Sequence, residues 1–75
     1  MELEVIKKNN VSILKIKGDV DLYSSPLVRK EILAILTKSN KNLLVDLEDV
    51  FYMDSSGVAT LVEALQLTNR KGGKS

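Results

Sequence analysis

The sequence contains no cysteine and no histidine. The first absence excludes a disulfide framework, thiolate zinc sites and cysteine nucleophiles. The second excludes more chemistry: a Ser-His-acid triad cannot be assembled from this chain, and imidazole metal sites are equally out of reach. No apolar run approaches membrane-spanning length, and Met1 is followed by charged, alternating sequence in place of an apolar signal region. The expectation is a cytoplasmic chain with no membrane insertion. A net charge of +1 gives no electrostatic reason to expect direct contact with nucleic acid.

What is present has the balance of an ordinary globular domain, 44% hydrophobic and 28% charged. Seventy-five residues make one small domain, 1–75, which buries only about 60% of its unfolded surface and so has a marginal core.

Taken in order, Leu3 and Val5 alternate with Glu2 and Glu4, Lys7-Lys8-Asn9-Asn10 signals a polar turn, and Val11, Ile13 and Ile16 resume an apolar run. This predicts a β-hairpin with its lysines on a solvated face or edge. Gly18-Asp19-Val20-Asp21 closes the second strand. Leu22-Tyr23-Ser24-Ser25-Pro26 then signals helix entry: Ser24 or Ser25 can cap, and proline suits the first helical position. Val28, Ile32, Ile35 and Leu36 define one apolar face, and Ser39-Asn40-Lys41-Asn42 ends the helix. The run Leu43–Leu47 has almost no polar interruption, which suits a central strand buried on both faces and parallel to a neighbour. Glu48 to Met53 leads to a junction, Asp54-Ser55-Ser56-Gly57. A second helix is predicted from about Ser55 to about Asn69, with Val58, Leu61, Val62 and Leu65 at helical spacing.

The order is β-β-α-β-α, an α/β fold with helices packed on a mixed sheet. A buried strand followed by a helix normally returns to a parallel strand, and here none follows. The expectation is that the intact protein is longer, Gly72-Gly73 reading as a turn that leads onward.

A strand that feeds straight into a helix puts their junction at the carboxyl edge of the sheet, where α/β folds place their sites. Asp54 or Ser55 can cap the helix. A cap alone does not account for two serines and a glycine in succession, because Gly57 lowers helix stability. A helix start also favours negative charge, so a phosphate on Ser55 would be tolerated apart from repulsion by Asp54. The acidic set Asp19, Asp21, Asp46, Glu48, Asp49 and Asp54 lacks calcium-loop spacing and reads as solvated carboxylates plus a cap, with no metal site. Gly73-Lys74-Ser75 imitates the end of a P-loop, but Thr68 stands where the pattern needs glycine. Met53 reads as core packing at the strand end.

Tyr52-Met53-Asp54-Ser55-Ser56-Gly57-Val58 resembles the signature of the STAS domain family, in particular its bacterial anti-sigma factor antagonists. Gly18-Asp19-Val20-Asp21 resembles the family's Gly-x-x-Asp segment, Val45-Asp46-Leu47 sits at the expected strand, and Glu63-Ala64-Leu65 lies in the matching helix. The resemblance runs from about Val11 to Gly73. It implies that Ser55 is phosphorylated by an anti-sigma factor that is also a serine kinase, and that a separate serine phosphatase resets it. The unphosphorylated antagonist binds the kinase and frees a sigma factor for transcription; the phosphorylated form lets go. The resemblance puts Asp21, Asp54, Ser55, Ser56 and Gly57 at the partner surface. It implies a regulatory protein that is not an enzyme and needs no cofactor of its own, since the ATP belongs to the partner. The chain departs from the family in lacking its C-terminal strand and helix. Ala59-Thr60, where antagonists often carry a glycine, also suits STAS subunits of lipid-transport ABC systems, which act as constitutive binding modules.

Overall fold

The computed structural model describes residues 1–38 and 42–70. Alternation over the first twenty residues produces the expected hairpin, β1 (Glu2–Lys8) pairing antiparallel with β2 (Val11–Val20). In its turn Asn9 adopts a left-handed φ of 57°, a conformation asparagine tolerates better than most residues. Helix α1 (Ser25–Thr37) follows, then β3 (Asn42–Met53), parallel to β2, and helix α2 (Ser55–Arg70). The sheet order is β1-β2-β3. The element order and the mixed α/β sheet therefore agree with the sequence reading. Asn42, read as helix exit, already belongs to β3; residues 39–41 and the Gly72 to Ser75 readings lie outside the described residues.

One face of the sheet carries the core. Leu14, Ile16 and Val20 of β2 and Leu43 of β3 meet Val28, Ile32, Ile35 and Leu36 of α1, the face predicted from spacing, together with Ala64 of α2. The two helices share that side of the sheet and touch each other. The Arg29 guanidinium on α1 donates to the Glu63 carboxylate on α2 from Nε and Nη2, at 2.7 and 3.4 Å. Both side chains are largely exposed, so the pair orients the helices more than it stabilises them. On the opposite face the register sets Lys15 between Glu4 and Asp46, and Lys17 between Glu2 and Asp49. Each strand lysine thus has a carboxylate on either side across the sheet, the solvated face expected for these residues.

Three expectations are corrected. First, β3 is not central among the described strands: it lies at the edge of that sheet, and Leu44 and Leu47 remain 51% and 40% exposed. It also runs on to Met53, because two register shifts against β2 absorb one extra residue each. Second, the apolar stripe of α2 is not its packing face. Val58, Val62 and Leu65 are each about half exposed, while Gly57, Ala64 and Thr68 are buried. Third, neither Ser24 nor Ser25 caps α1 with its side chain. Ser24 holds the cap position but makes no cap hydrogen bond.

Ser12, fully buried on the core face of β2, has a hydroxyl with no hydrogen-bond partner among the described residues. An unpaired buried hydroxyl is a net loss of about 1 kcal/mol or more. Ser12→Ala is expected to stabilise the fold by about that amount, read as a higher urea midpoint at unchanged slope.

Candidate functional site

Because β2 and β3 are parallel, their carboxyl ends lie side by side, and a helix starts just beyond each. The two helix starts converge on one edge of the sheet. Asp54 is the joint. Its backbone N–H donates to the Val20 carbonyl at 3.1 Å, fixing the end of β3 to the end of β2. Its carboxylate Oδ1 accepts from the backbone N–H groups of Ser56 and Gly57 at 2.9 and 3.2 Å. These are among the N–H groups that a helix start leaves without partners. The Ser56 hydroxyl donates to the same oxygen at 2.5 Å, and the Leu22 N–H reaches the carboxylate from the loop after β2. The cap left open between Asp54 and Ser55 in the sequence is therefore Asp54. The Ser56 hydroxyl, with the three N–H groups, holds the Asp54 carboxyl below its ordinary pKa against an opposing desolvation.

The neighbouring loop is braced in the same style. Asp21 Oδ1 accepts from the N–H groups of Tyr23 and Ser24, both at 3.0 Å, and the Asp21 N–H donates to Ser24 Oγ at 2.9 Å. The Ser24 hydroxyl donates to the Asp19 carbonyl at 2.8 Å. These bonds occupy Ser24 and explain why it does not cap α1. The Ser24 N–H is the main reason that the Asp21 pKa is lowered, and the Asp54 charge works against it. The two aspartates predicted for the site are thus brought together.

Ser25 joins the helix starts. Its hydroxyl, in a residue only 5% exposed, donates to Ser56 Oγ at 3.3 Å. A chain of hydroxyls runs from Ser25 to Ser56 to Asp54. Sequence reasoning weighed Ser25 only as a cap; its position beside Pro26 at a helix entry was the available signal, and its partner 31 residues away was not.

Of the five residues expected at a partner surface, Ser55 is the one that the others leave displayed. It is the first residue of α2, it is exposed, and its hydroxyl makes no hydrogen bond among the described residues. Ser56 faces inward with its hydroxyl engaged. Gly57 is buried, and its place is set by packing. A Cβ there would stand 2.6 Å from Met53 Cγ, 2.9 Å from Val20 Cγ1 and 3.1 Å from the Val20 carbonyl oxygen. Met53 packs against the core, as read from the sequence. Among the described residues no three acidic side chains are grouped to hold a metal ion. No helix of the described chain is long and apolar enough to cross a membrane.

A STAS domain family model matches residues 2–75. The anti-sigma-B factor antagonist of Bacillus subtilis (strain 168) is 33% identical over 69 residues, which make up 91% of this chain and 62% of the relative. The chain thus spans less than two thirds of that relative's length. Two solved structures of the anti-sigma factor antagonist SpoIIAA share the fold. Its unphosphorylated form matches with a TM-score of 0.80 at 19% identity, and its phosphorylated form with a TM-score of 0.80 at 16% identity. Each match covers 96% of this chain and 67% of the other.

Two consequences are measurable. Gly57→Ala is expected to destabilise the fold by roughly 1–3 kcal/mol despite alanine's better helix propensity, because the added carbon would overlap Met53 Cγ and Val20 Cγ1 and crowd the Val20 carbonyl; chemical denaturation reads this directly. Asp54 has a lowered pKa when folded, so its contribution is complete above the ordinary carboxylate value of 3.8 and is lost as pH falls through the folded value. Asp54→Asn keeps a capping side chain but does not titrate. Its urea midpoint is expected to fall less steeply than that of the wild type as pH drops below 3.8.

Proposed function

The chain belongs to the STAS domain family, and from that premise we propose that it is an anti-sigma factor antagonist whose hold on its partner is switched off by phosphorylation of Ser55. The observation that carries this reading is the exposed, unengaged hydroxyl of Ser55 on a turn whose neighbouring polar groups are otherwise committed. The resemblance supplies the partners, an anti-sigma factor that is a serine kinase and a serine phosphatase, and a cytoplasmic location for this chain. In the transfer, Ser55 Oγ forms a bond to the γ-phosphorus of the partner's ATP as the bond to the β-γ bridging oxygen breaks, leaving ADP. The hydroxyl proton passes to a base on the kinase. This chain is substrate and ligand in that reaction, not catalyst.

The phosphate would sit at the start of α2. Asp54 already serves the N–H groups of Ser56 and Gly57, so the helix offers the phosphate chiefly its dipole. A phosphoserine adds about −1.5 to −2 charge at pH 7, turning the net charge of +1 into roughly −1. Equal likeness of this fold to both forms of SpoIIAA supports a switch that changes the surface and leaves the fold alone. Asp21, on the loop braced beside Asp54, is placed to face the same partner.

Incubation with the cognate anti-sigma factor kinase and ATP is expected to add one phosphate to the wild type and none to Ser55→Ala, by intact mass. Ser55→Asp is expected to bind the kinase at least tenfold more weakly. Stable association with a transport ATPase, without any adduct, would replace this reading with that of a constitutive binding module.

A further inference from the structure

We infer that β1 is a self-association edge: two copies of this chain pair antiparallel along β1, about a two-fold axis at Val5, and so join their sheets into one. β1 is an outer strand of the described sheet, paired with β2 on one side only. Its backbone groups turned away from β2 have no strand to pair with among the described residues. Val5 and Ile6, at the middle of the strand, are each 36% exposed. Edge strands ordinarily keep other strands away with charge, lysine above all. In β1 that charge is divided by sign. Glu2 and Glu4 occupy the first half, Lys7 and Lys8 the last two positions. All four are exposed, and none makes a side-chain ion pair or hydrogen bond among the described residues.

A strand divided in this way is complementary to its own reverse. Parallel pairing of two copies in register would set like charges side by side. Antiparallel pairing about Val5 brings all 7 residues of the strand into register, with Val5 opposite its own copy and Glu2 opposite the second copy's Lys8. Directly opposite residues share a face of the sheet, so these side chains meet. The contact between Glu2 and Lys8 occurs twice by symmetry, as an isologous interface requires. Each Lys8 also lies diagonal to Glu4 of the other copy, within reach of a long side chain. The centre of the interface is apolar. Val5 pairs with Leu14 of the core, so the two Val5 side chains meet on the helix side; the two Ile6 side chains are diagonal neighbours on the other face. On the helix side β1 and α1 leave a groove of about 440 Å³, with Val5 and Lys7 on one wall and Glu31, Ala34, Ile35 and Lys38 on the other. The grooves of the two copies face each other across the axis, and the Val5 pair closes them. An apolar centre with charged pairs at its ends is the ordinary anatomy of a protein interface. β1 lies two strands from β3, so this pairing leaves α2 and Ser55 free in both copies and does not depend on the proposed function.

Sedimentation velocity over a range of protein concentrations tests the pairing, with melting curves to confirm that each variant is folded. The wild type is expected to sediment as a dimer that dissociates on dilution and weakens with added salt. Glu2→Lys and Lys8→Glu each set like charges opposite one another at both ends of the interface, and each is expected to raise the dissociation constant about tenfold. The exchange variant that carries both changes restores opposite charges, and is expected to bind its copy at least about threefold more tightly than either single variant. A monomer at every concentration overturns the inference. So does a dimer that both single variants leave intact, an exchange variant no tighter than the singles, or a dimer that Val62→Lys on α2 disperses in their place.

Discussion

The Asp54 carboxylate ties the first turn of α2 to the stretch between β2 and α1, 31 residues away at the Ser25–Ser56 contact. It accepts from Ser56 and Gly57 in the first turn of α2, and the Leu22 N–H on the loop after β2 favours its charged form. Through the Ser56 hydroxyl it is linked to Ser25 at the start of α1. The bare α-carbon of Gly57 lets α2 approach Val20 closely enough for these bonds to form. Remove the carboxylate, and the loop loses an acceptor at the same time as the helix loses its cap. The display of Ser55 follows from this arrangement. The Asp54, Ser56 and Ser25 side chains are engaged with one another, and the Ser55 hydroxyl beside them is exposed.

Much of this edge could be read from residue order. Alternation gave the hairpin, Pro26 marked the first turn of α1, and the apolar spacing of α1 named its buried face. The Asp-Ser-Ser-Gly turn pointed to the site. The reading of Gly57 was incomplete for a physical reason: a glycine looks permissive in sequence, and only the distance to Val20 and Met53 shows that it is required for packing. The extent of β3 was hidden because Glu48-Asp49 interrupts the apolar run. Two register shifts carry the strand past them, and register is a property of the pair of strands that a single strand's pattern does not contain.

The α2 surface shows where a pattern rule reverses. The rule that apolar stripes face inward assumes that burial of area decides the orientation. In α2 the approach distance decides it. Gly57, Ala64 and Thr68 form a slim face that lets the helix sit close to the sheet and to α1, and the Thr68 hydroxyl is satisfied by the Ala64 carbonyl at 2.8 Å, so it can be fully buried. Val58, Val62 and Leu65 are left half outside. Beside them runs β3, the outer strand of the described sheet, with Leu44. Thus the aromatic side chains Tyr23, Phe51 and Tyr52 and the aliphatic flank of α2 are both apolar and exposed.

Charge alone does not explain how a phosphate on Ser55 could release a partner. The edge already bears Asp19 and Asp21, and a cationic partner surface would be drawn more strongly once the phosphate arrived. Distance resolves the conflict. A kinase that phosphorylates Ser55 must bring its nucleotide phosphates to that hydroxyl, so the new phosphate is formed almost in contact with other anions. Like charges about 4 Å apart repel by about 4 kcal/mol per unit pair at a partly screened protein edge, whereas the attraction to cations farther off fades over a screening length of about 8 Å. On the proposed reading, repulsion at Ser55 outweighs the attraction to cations farther off while the nucleotide is in place.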